Sequence, residues 1–386
     1  MIIAKSRKLN YLERLYSRQF FRPAELGKDI EGSSPPSVFV GRYNYPNVFV
    51  GPLVPQAHGD TSYMDTPETW ISKQAFDIID FRFQLIRGKS LVNVHESSKY
   101  VASMREMALS KKSAEIEASF KSSPRGGYFQ EETQPFGPSA YVEKIAVNVN
   151  KMEPHMERSY YDTDLKALDA ILYLYSKGLF VSQIQKAFSI GSFGIEKNRR
   201  LVPTRWSITA VDDMLSKNLL GKIKQYQTIG EFRVYETENI NNKFVVILMP
   251  TPWRYESMEA WFPQIIGDRL EIYSDYEYFD GKKEYACIGG CYYSARLAIA
   301  ERLEEEKKQA GAILLREAYP GYIPLGVWNV RENVRDAMKK KYKGFETLNE
   351  ALNYAGTRLR VPARQWIEQS HLLKNEFIQK KITSYL

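Results

Sequence analysis

The sequence predicts an α+β fold, with helices and strands in irregular order and a mainly helical region at the C-terminal end. Three observations carry this expectation. Short β-branched and aromatic runs are scattered over the first two-thirds of the chain. Amphipathic helical patterns separate them without a strict strand–helix alternation, which argues against a doubly wound sheet. Past residue 280 the strand-like runs stop and helical patterns remain.

Taken in order, residues 1–30 form a basic segment. Lys5 to Lys28 carries seven cations against Glu13 and Glu25, with Tyr11, Tyr16, Phe20 and Phe21 interleaved. Such a stretch can follow a phosphate backbone and stack on bases; the plainer reading is a solvated helix with its apolar side on a core. Next, Val38-Phe-Val-Gly41 recurs as Val48-Phe-Val-Gly51 around a Tyr/Asn/Pro turn, which reads as strand, turn, strand. Further strands are expected at Leu91 to Val94, Ile145 to Val149, Phe232 to Tyr235 and Lys243 to Met249, the last two forming a hairpin about Glu238 to Asn242.

Helical patterns are expected at Trp70 to Arg87, Ser97 to Phe120, Asp164 to Tyr175, Val181 to Phe188 and Ser207 to Leu219. Others follow at Ser294 to Lys308, Val330 to Lys343 and Leu348 to Asn353. The pair before and after Lys177-Gly178 resembles a helix-turn-helix, although an ordinary helical hairpin has the same pattern. The expected divisions are 1–30 basic, 31–280 α+β, 281–376 mainly helical and 377–386 a docking tail, whose clamp-binding pattern is set out below.

With 386 residues, 44% of them hydrophobic and 26% charged, the chain has the composition of a folded protein with a sizeable core. Its two cysteines, Cys287 and Cys291, are too few for a disulfide framework or a multi-cysteine zinc site, which suits a reducing cytoplasm. No secretory signal is legible after Met1, and the most apolar run, Phe244 to Met249, is too short to span a bilayer. No membrane partner is expected. The net charge of +8 suits a polyanionic one. His58, His95, His155 and His371 show no metal-ligand spacing, and no GK[ST] follows Gly289-Gly290. No cofactor or metal is expected, and a divalent cation enters only if the protein is catalytic.

Two constellations stand out. The tail, Gln379-Lys-Lys-Ile-Thr-Ser-Tyr-Leu386, has the spacing of a sliding-clamp box. In one 3₁₀-like turn, residues three apart eclipse, so Ile382 and Tyr385 project together as a plug. Leu386 lies beside them and Gln379 supplies directional hydrogen bonds. Leu386 stands where a second aromatic is usual. The plainer reading is an amphipathic tail packed on its own domain. The second is Asn198 to Asp213, where Arg199, Arg200, Arg205 and Trp206 precede a helix whose N-cap is expected at Ser207. Guanidinium groups beside a helix N-terminus make a phosphate site. Trp206 can stack on a base, and Asp212 and Asp213 can bind a hard cation, do acid–base work or orient Arg205. The same residues also suit a structural salt-bridge cluster around a core tryptophan.

Ser33 to Arg42 with Tyr45-Pro-Asn-Val48 and Gly51-Pro-Leu53, Arg200 to Thr209 with Asp212 and Asp213, and the tail from Gln379 together resemble the archaeal Nre family over nearly the whole chain. The resemblance implies a DNA-repair role in partnership with the sliding clamp, PCNA, and a long N-terminal and a shorter C-terminal region. Many members of the family open with a four-cysteine zinc motif. Here no cysteine precedes Cys287. The leading expectation is a clamp-tethered factor that associates with DNA. The alternatives are an enzyme on damaged DNA or a nucleotide, using Arg42, Arg199, Arg200 and Arg205 on phosphate with Asp212 or Asp213, and an adaptor that never touches DNA.

Overall fold

A computed structural model describes residues 26–130 and 133–378. The chain divides into two compact units. One comprises the described residues up to Leu215 with Pro324–Gly326; the other comprises Ser216–Ile323 and the described residues from Val327 on.

The first unit is built on a six-stranded sheet in the order β1-β5-β8-β4-β3-β2. Its strands are β1 (Asp29–Ser34), β2 (Val38–Val40), β3 (Asn47–Val54), β4 (Ile86–Asn93), β5 (Ala114–Phe120) and β8 (Ser139–Asn148). All pairings are antiparallel except β4 with β8. A small ribbon, β6 (Tyr128–Gln130) with β7 (Thr133–Phe136), stands apart. The inner face carries Val48, Val50, Val92, Ile116 and Phe120, closed by Val101, Met104 and Met107 of α2 (Lys99–Ala108). Helices α1 (Ala75–Gln84), α3 (Pro154–Tyr161), α4 (Ala167–Ser176) and α5 (Val181–Ser189) complete this unit with the first part of α6 (Thr204–Ile223).

A buried carboxylate joins these pieces. Asp65, in a short 3₁₀ turn, accepts hydrogen bonds from Ser37 before β2, from the Arg82 guanidinium on α1, and from Lys186 on α5 at 2.9 Å. Arg82 also donates through Nε to the Pro135 carbonyl of β7 at 3.2 Å. Beside it, Glu68 caps α5, accepting from the Ser182 amide at 2.8 Å and its hydroxyl at 2.7 Å.

The second unit holds a six-stranded sheet in the order β12-β11-β13-β10-β9-β14. These are β9 (Phe232–Asn239), β10 (Asn242–Met249), β11 (Tyr255–Trp261), β12 (Glu271–Glu277), β13 (Gly311–Ala318) and β14 (Lys343–Phe345). Every residue of β10 and β13 is buried, as expected of strands covered on both faces. On one face, Val245, Ile247, Ile313 and Leu315 pack with residues of α9 (Leu348–Arg358), α10 (Ala363–Gln369) and α11 (His371–Ile378). On the other side α8 (Trp328–Lys339) packs on β9 and β10 and against α7 (Gly290–Glu306). Two buried carboxylates fasten the C-terminal helices. Glu256 accepts from the Ser370 hydroxyl and the His371 and Leu372 amides at 2.5–3.0 Å, which caps α11. Glu317 accepts from the Arg360 and Val361 amides at 2.9 and 2.7 Å.

The mixed α+β expectation holds, and particular elements differ. The helix expected over Ser97 to Phe120 ends at Ala108, and Ala114-Glu-Ile-Glu-Ala-Ser-Phe120 is strand β5. Its strict apolar–polar alternation has the period of a half-buried strand, and that local period prevails. The helix expected from Trp70 begins at Ala75, and Arg87 belongs to β4. Helix α5 has no exposed residue along its length, so it presents no face for reading a DNA groove. Among the described residues no helix is long and apolar enough to cross a membrane.

Burial alone would raise the Asp65 pKa, but the Arg82 and Lys186 charges and the Ser37 hydrogen bond outweigh it and hold it below the usual carboxylate value. Asp65→Ala should therefore destabilise the protein by about 3–5 kcal/mol, because two buried cations lose their counter-charge. Since the folded-state pKa is depressed, the stabilisation is full above the ordinary carboxylate pKa and is lost as pH falls through the folded value. Denaturant unfolding against pH, compared with Asp65→Asn, should show this acid-side loss only in the parent protein.

Candidate nucleic-acid interface

Two sequence-distant segments meet in the first unit. Ser37 to Gly51 folds as β2, a tight turn and β3, paired Val38 with Pro52 through Val40 with Val50. At the turn, Asn44 adopts the left-handed conformation that asparagine tolerates, with φ of 65°. The Gly41 amide then donates to Phe49 and the Asn47 amide to Asn44. The turn leaves Tyr43 and Tyr45 exposed and Arg42 half-buried, the Arg42 guanidinium lying 5.1 Å from the Tyr43 ring centre.

The second segment, Arg199 to Asp213, reaches the same place through backbone bonds. The Leu201 amide donates to Val94 and the Val202 amide to Ser189, both at 2.8 Å. Gly191 allows this approach: it has φ of 72°, and a Cβ there would lie 2.6 Å from the Arg200 carbonyl oxygen. Helix α6 then starts at Thr204, whose Oγ1 accepts the edge-strand amide of Val40 at 2.9 Å and lies 3.2 Å from the Ser189 hydroxyl. Trp206, on the first turn and 47% exposed, meets the Tyr45 ring at 5.3 Å. Arg205 beside it is half-buried and Arg200 is exposed. The product is a pair of accessible aromatic rings flanked by arginines at a helix N-terminus.

The other candidate residues have different surroundings. The Arg199 guanidinium donates to three carbonyls, Gly194 at 2.7 Å, Tyr160 at 2.7 Å and Asp162 at 2.8 Å, which fastens the end of α3 to the loop after α5. Asp212 is fully buried and accepts from Gln185 Nε2 at 2.8 Å, while Asp213 is half-buried. Ser207 is not the N-cap that the sequence suggested. It sits inside α6, and its hydroxyl donates to the Gln185 carbonyl at 2.5 Å. Among the described residues, no three His, Cys, Asp or Glu come together to hold a metal ion. Gln379, Ile382, Tyr385 and Leu386 lie outside the described residues, as does the basic segment up to Glu25. Tyr43 and Tyr45 were not singled out from sequence, although aromatics inside a Tyr/Asn/Pro turn cannot all reach a core.

Comparison with known proteins places the sequence in one family. The family profile described as "Archaeal Nre, N-terminal" covers residues 3–266, and "Archaeal Nre, C-terminal" covers residues 277–385. This chain belongs to the archaeal Nre family. It is similar to DNA repair protein NreB of Archaeoglobus fulgidus, 45% identical over 353 residues that span 90% of each chain. DNA repair protein NreA of the same organism is 37% identical over 90% of this chain and 89% of its own. DNA repair protein NreA of Haloferax volcanii is 32% identical over 89% of this chain and 86% of its own. No solved structure matches the chain.

With three carbonyl bonds, Arg199 acts here as a structural staple. Arg199→Lys keeps the charge but loses the planar fork, and should lower stability by about 1.5–3 kcal/mol in denaturant unfolding. If stability is unchanged and only DNA affinity falls, Arg199 is a phosphate ligand instead.

Proposed function

We propose that this chain is a DNA-repair factor that docks on the sliding clamp through Gln379, Ile382, Tyr385 and Leu386 and touches DNA where Tyr45 meets Trp206. The observation that carries the DNA reading is that junction. An exposed aromatic pair beside Arg42, Arg200 and Arg205, at the N-terminus of α6, has the chemistry to stack on a base and hold a phosphate. The relatives named above as DNA repair proteins support the role. A clamp tether makes a weak DNA site sufficient, because a linked site works at an effective concentration of roughly millimolar order. The enzyme reading built on Asp212 is disfavoured by that residue's burial against Gln185.

Calorimetric titration of the full chain into PCNA should give binding that Tyr385→Ala weakens by about thirtyfold or more, as for an interface anchor; an unchanged affinity removes the docking claim. DNA affinity should fall linearly on a log–log plot against salt, and Arg205→Ala should lower that slope by about one. A slope equal to the parent's would take Arg205 off the phosphate backbone.

A further inference from the structure

The first sheet has a second face, and it is unlike its core. Along β4, Ile86, Gly88 and Val92 are buried, whereas Arg87, Lys89 and Leu91 alternate with them on the opposite side. Pairing with β3 sets Phe49 across from Leu91, and pairing with β8 sets Tyr141 beside Lys89. One end of this face is covered, where Phe39 and Leu53 pack with Met64 and Leu85. Phe49 sits half-buried at the margin of that cluster. Beyond it the face is open, with Leu91 54% and Tyr141 49% exposed. The Tyr141 ring stands edge-on to Phe49 at 5.7 Å, and the Lys89 ammonium lies 5.3 Å from the Tyr141 ring centre.

Positive charge borders this open patch on the side of its covered end. The Arg87 guanidinium is stacked between Phe136 at 3.8 Å and Phe39 at 4.5 Å, and its buried Nε has no hydrogen-bond partner. Burial, and next the Arg82 charge, push the Arg87 pKa down to about 9 despite Asp65. Burial and Arg87 in turn lower that of Lys89. Asp65 is already engaged by Arg82 and Lys186, so an arriving anion would relieve this crowding of cations. The other half of the face is acidic: Glu31 pairs opposite Glu117, and Asp29 and Glu115 are exposed beside them. Exposed Glu143 lies just past Tyr141 on β8. A polyanion is therefore confined to the half formed by β8, β4 and β3.

We propose that this half-face is a stacking platform for unpaired bases of a DNA strand, with Tyr141 and Phe49 taking base faces and Lys89 the adjoining phosphate. It rests on the DNA reading above and adds the state of the strand. The rings lie on a sheet, and they can meet only base faces not already stacked in a duplex. A duplex would offer this patch phosphates alone and would gain nothing from Tyr141.

The test is fluorescence anisotropy of the full chain with a labelled oligothymidine of about 12 nucleotides, a length within one such platform's reach, competed by unlabelled single strand or duplex. Single strand should compete better than duplex. Tyr141→Ala should weaken single-strand binding by about fivefold or more, while Tyr141→Phe retains it. Lys89→Gln should lower the log–log salt slope by about 0.7. Tyr161→Ala, an exposed aromatic on α3, should change nothing. Circular dichroism confirms that each variant is folded. Binding of oligothymidine unaffected by Tyr141→Ala and Lys89→Gln overturns the proposal. Binding to duplex alone, still sensitive to Arg205→Ala, overturns it too but leaves the DNA reading standing. No binding to either strand form overturns both.

Discussion

The first unit depends on one buried carboxylate. Asp65 draws together the residue before β2, helix α1 and helix α5 through Ser37, Arg82 and Lys186. Such a buried ion cluster is a poor source of net stability, since desolvation of each charge offsets most of the attraction. Its consequence is geometric. Lys186 fixes α5, and the neighbouring Gln185 and Ser189 of α5 hold Ser207, Asp212 and Thr204 of α6. Thr204 in turn receives the edge-strand amide of Val40. The position of Trp206 against Tyr45 is thus set by a chain of hydrogen bonds that begins at Asp65. Arg82 shares its charge environment with Arg87, so the same cluster also shapes the cationic side of the sheet.

The second unit applies a related device to its C-terminal helices. Several of its buried charges come in pairs. Arg316 meets Glu259 at 2.8 Å and Asn242 at 2.9 Å, and Arg296 meets Glu277 at 2.7 Å. Glu256 and Glu317 instead accept from backbone amides and one hydroxyl each, the first of them at the start of α11. Helix α11 is the last described element, and Glu256 fixes its start.

Much of this was legible in the sequence, and what was not has physical causes. The Val-Phe-Val-Gly duplication reads directly as β2, turn and β3, and the runs about Glu238 to Asn242 as the β9–β10 hairpin, because both the period and the turn are local signals. Strand β5 was absorbed into a helix by the alanines and glutamates that favour one, although its alternation says otherwise. Strand β13, Gly-Ala-Ile-Leu-Leu-Arg-Glu-Ala, was missed because a strand buried on both faces shows no alternation. The arginines of the second segment stand out in the sequence, but a guanidinium fork suits carbonyls as well as a phosphate, and only the fold shows that Arg199 holds three carbonyls. The meeting of Tyr45 with Trp206, and of Lys89 with Tyr141, needed sheet register and a parallel pairing that no local pattern encodes.

The central claim is that the first unit presents one DNA-contacting surface built from its hairpin, the start of α6 and the open side of its sheet. Hydrogen exchange of the full chain, with and without a gapped DNA duplex, tests it most directly. The account predicts slower exchange over residues 41–49, 86–93 and 199–208 when DNA is added, with the β10 and β13 amides unchanged. Protection confined to residues 216–378, with those three segments exchanging as before, would contradict it.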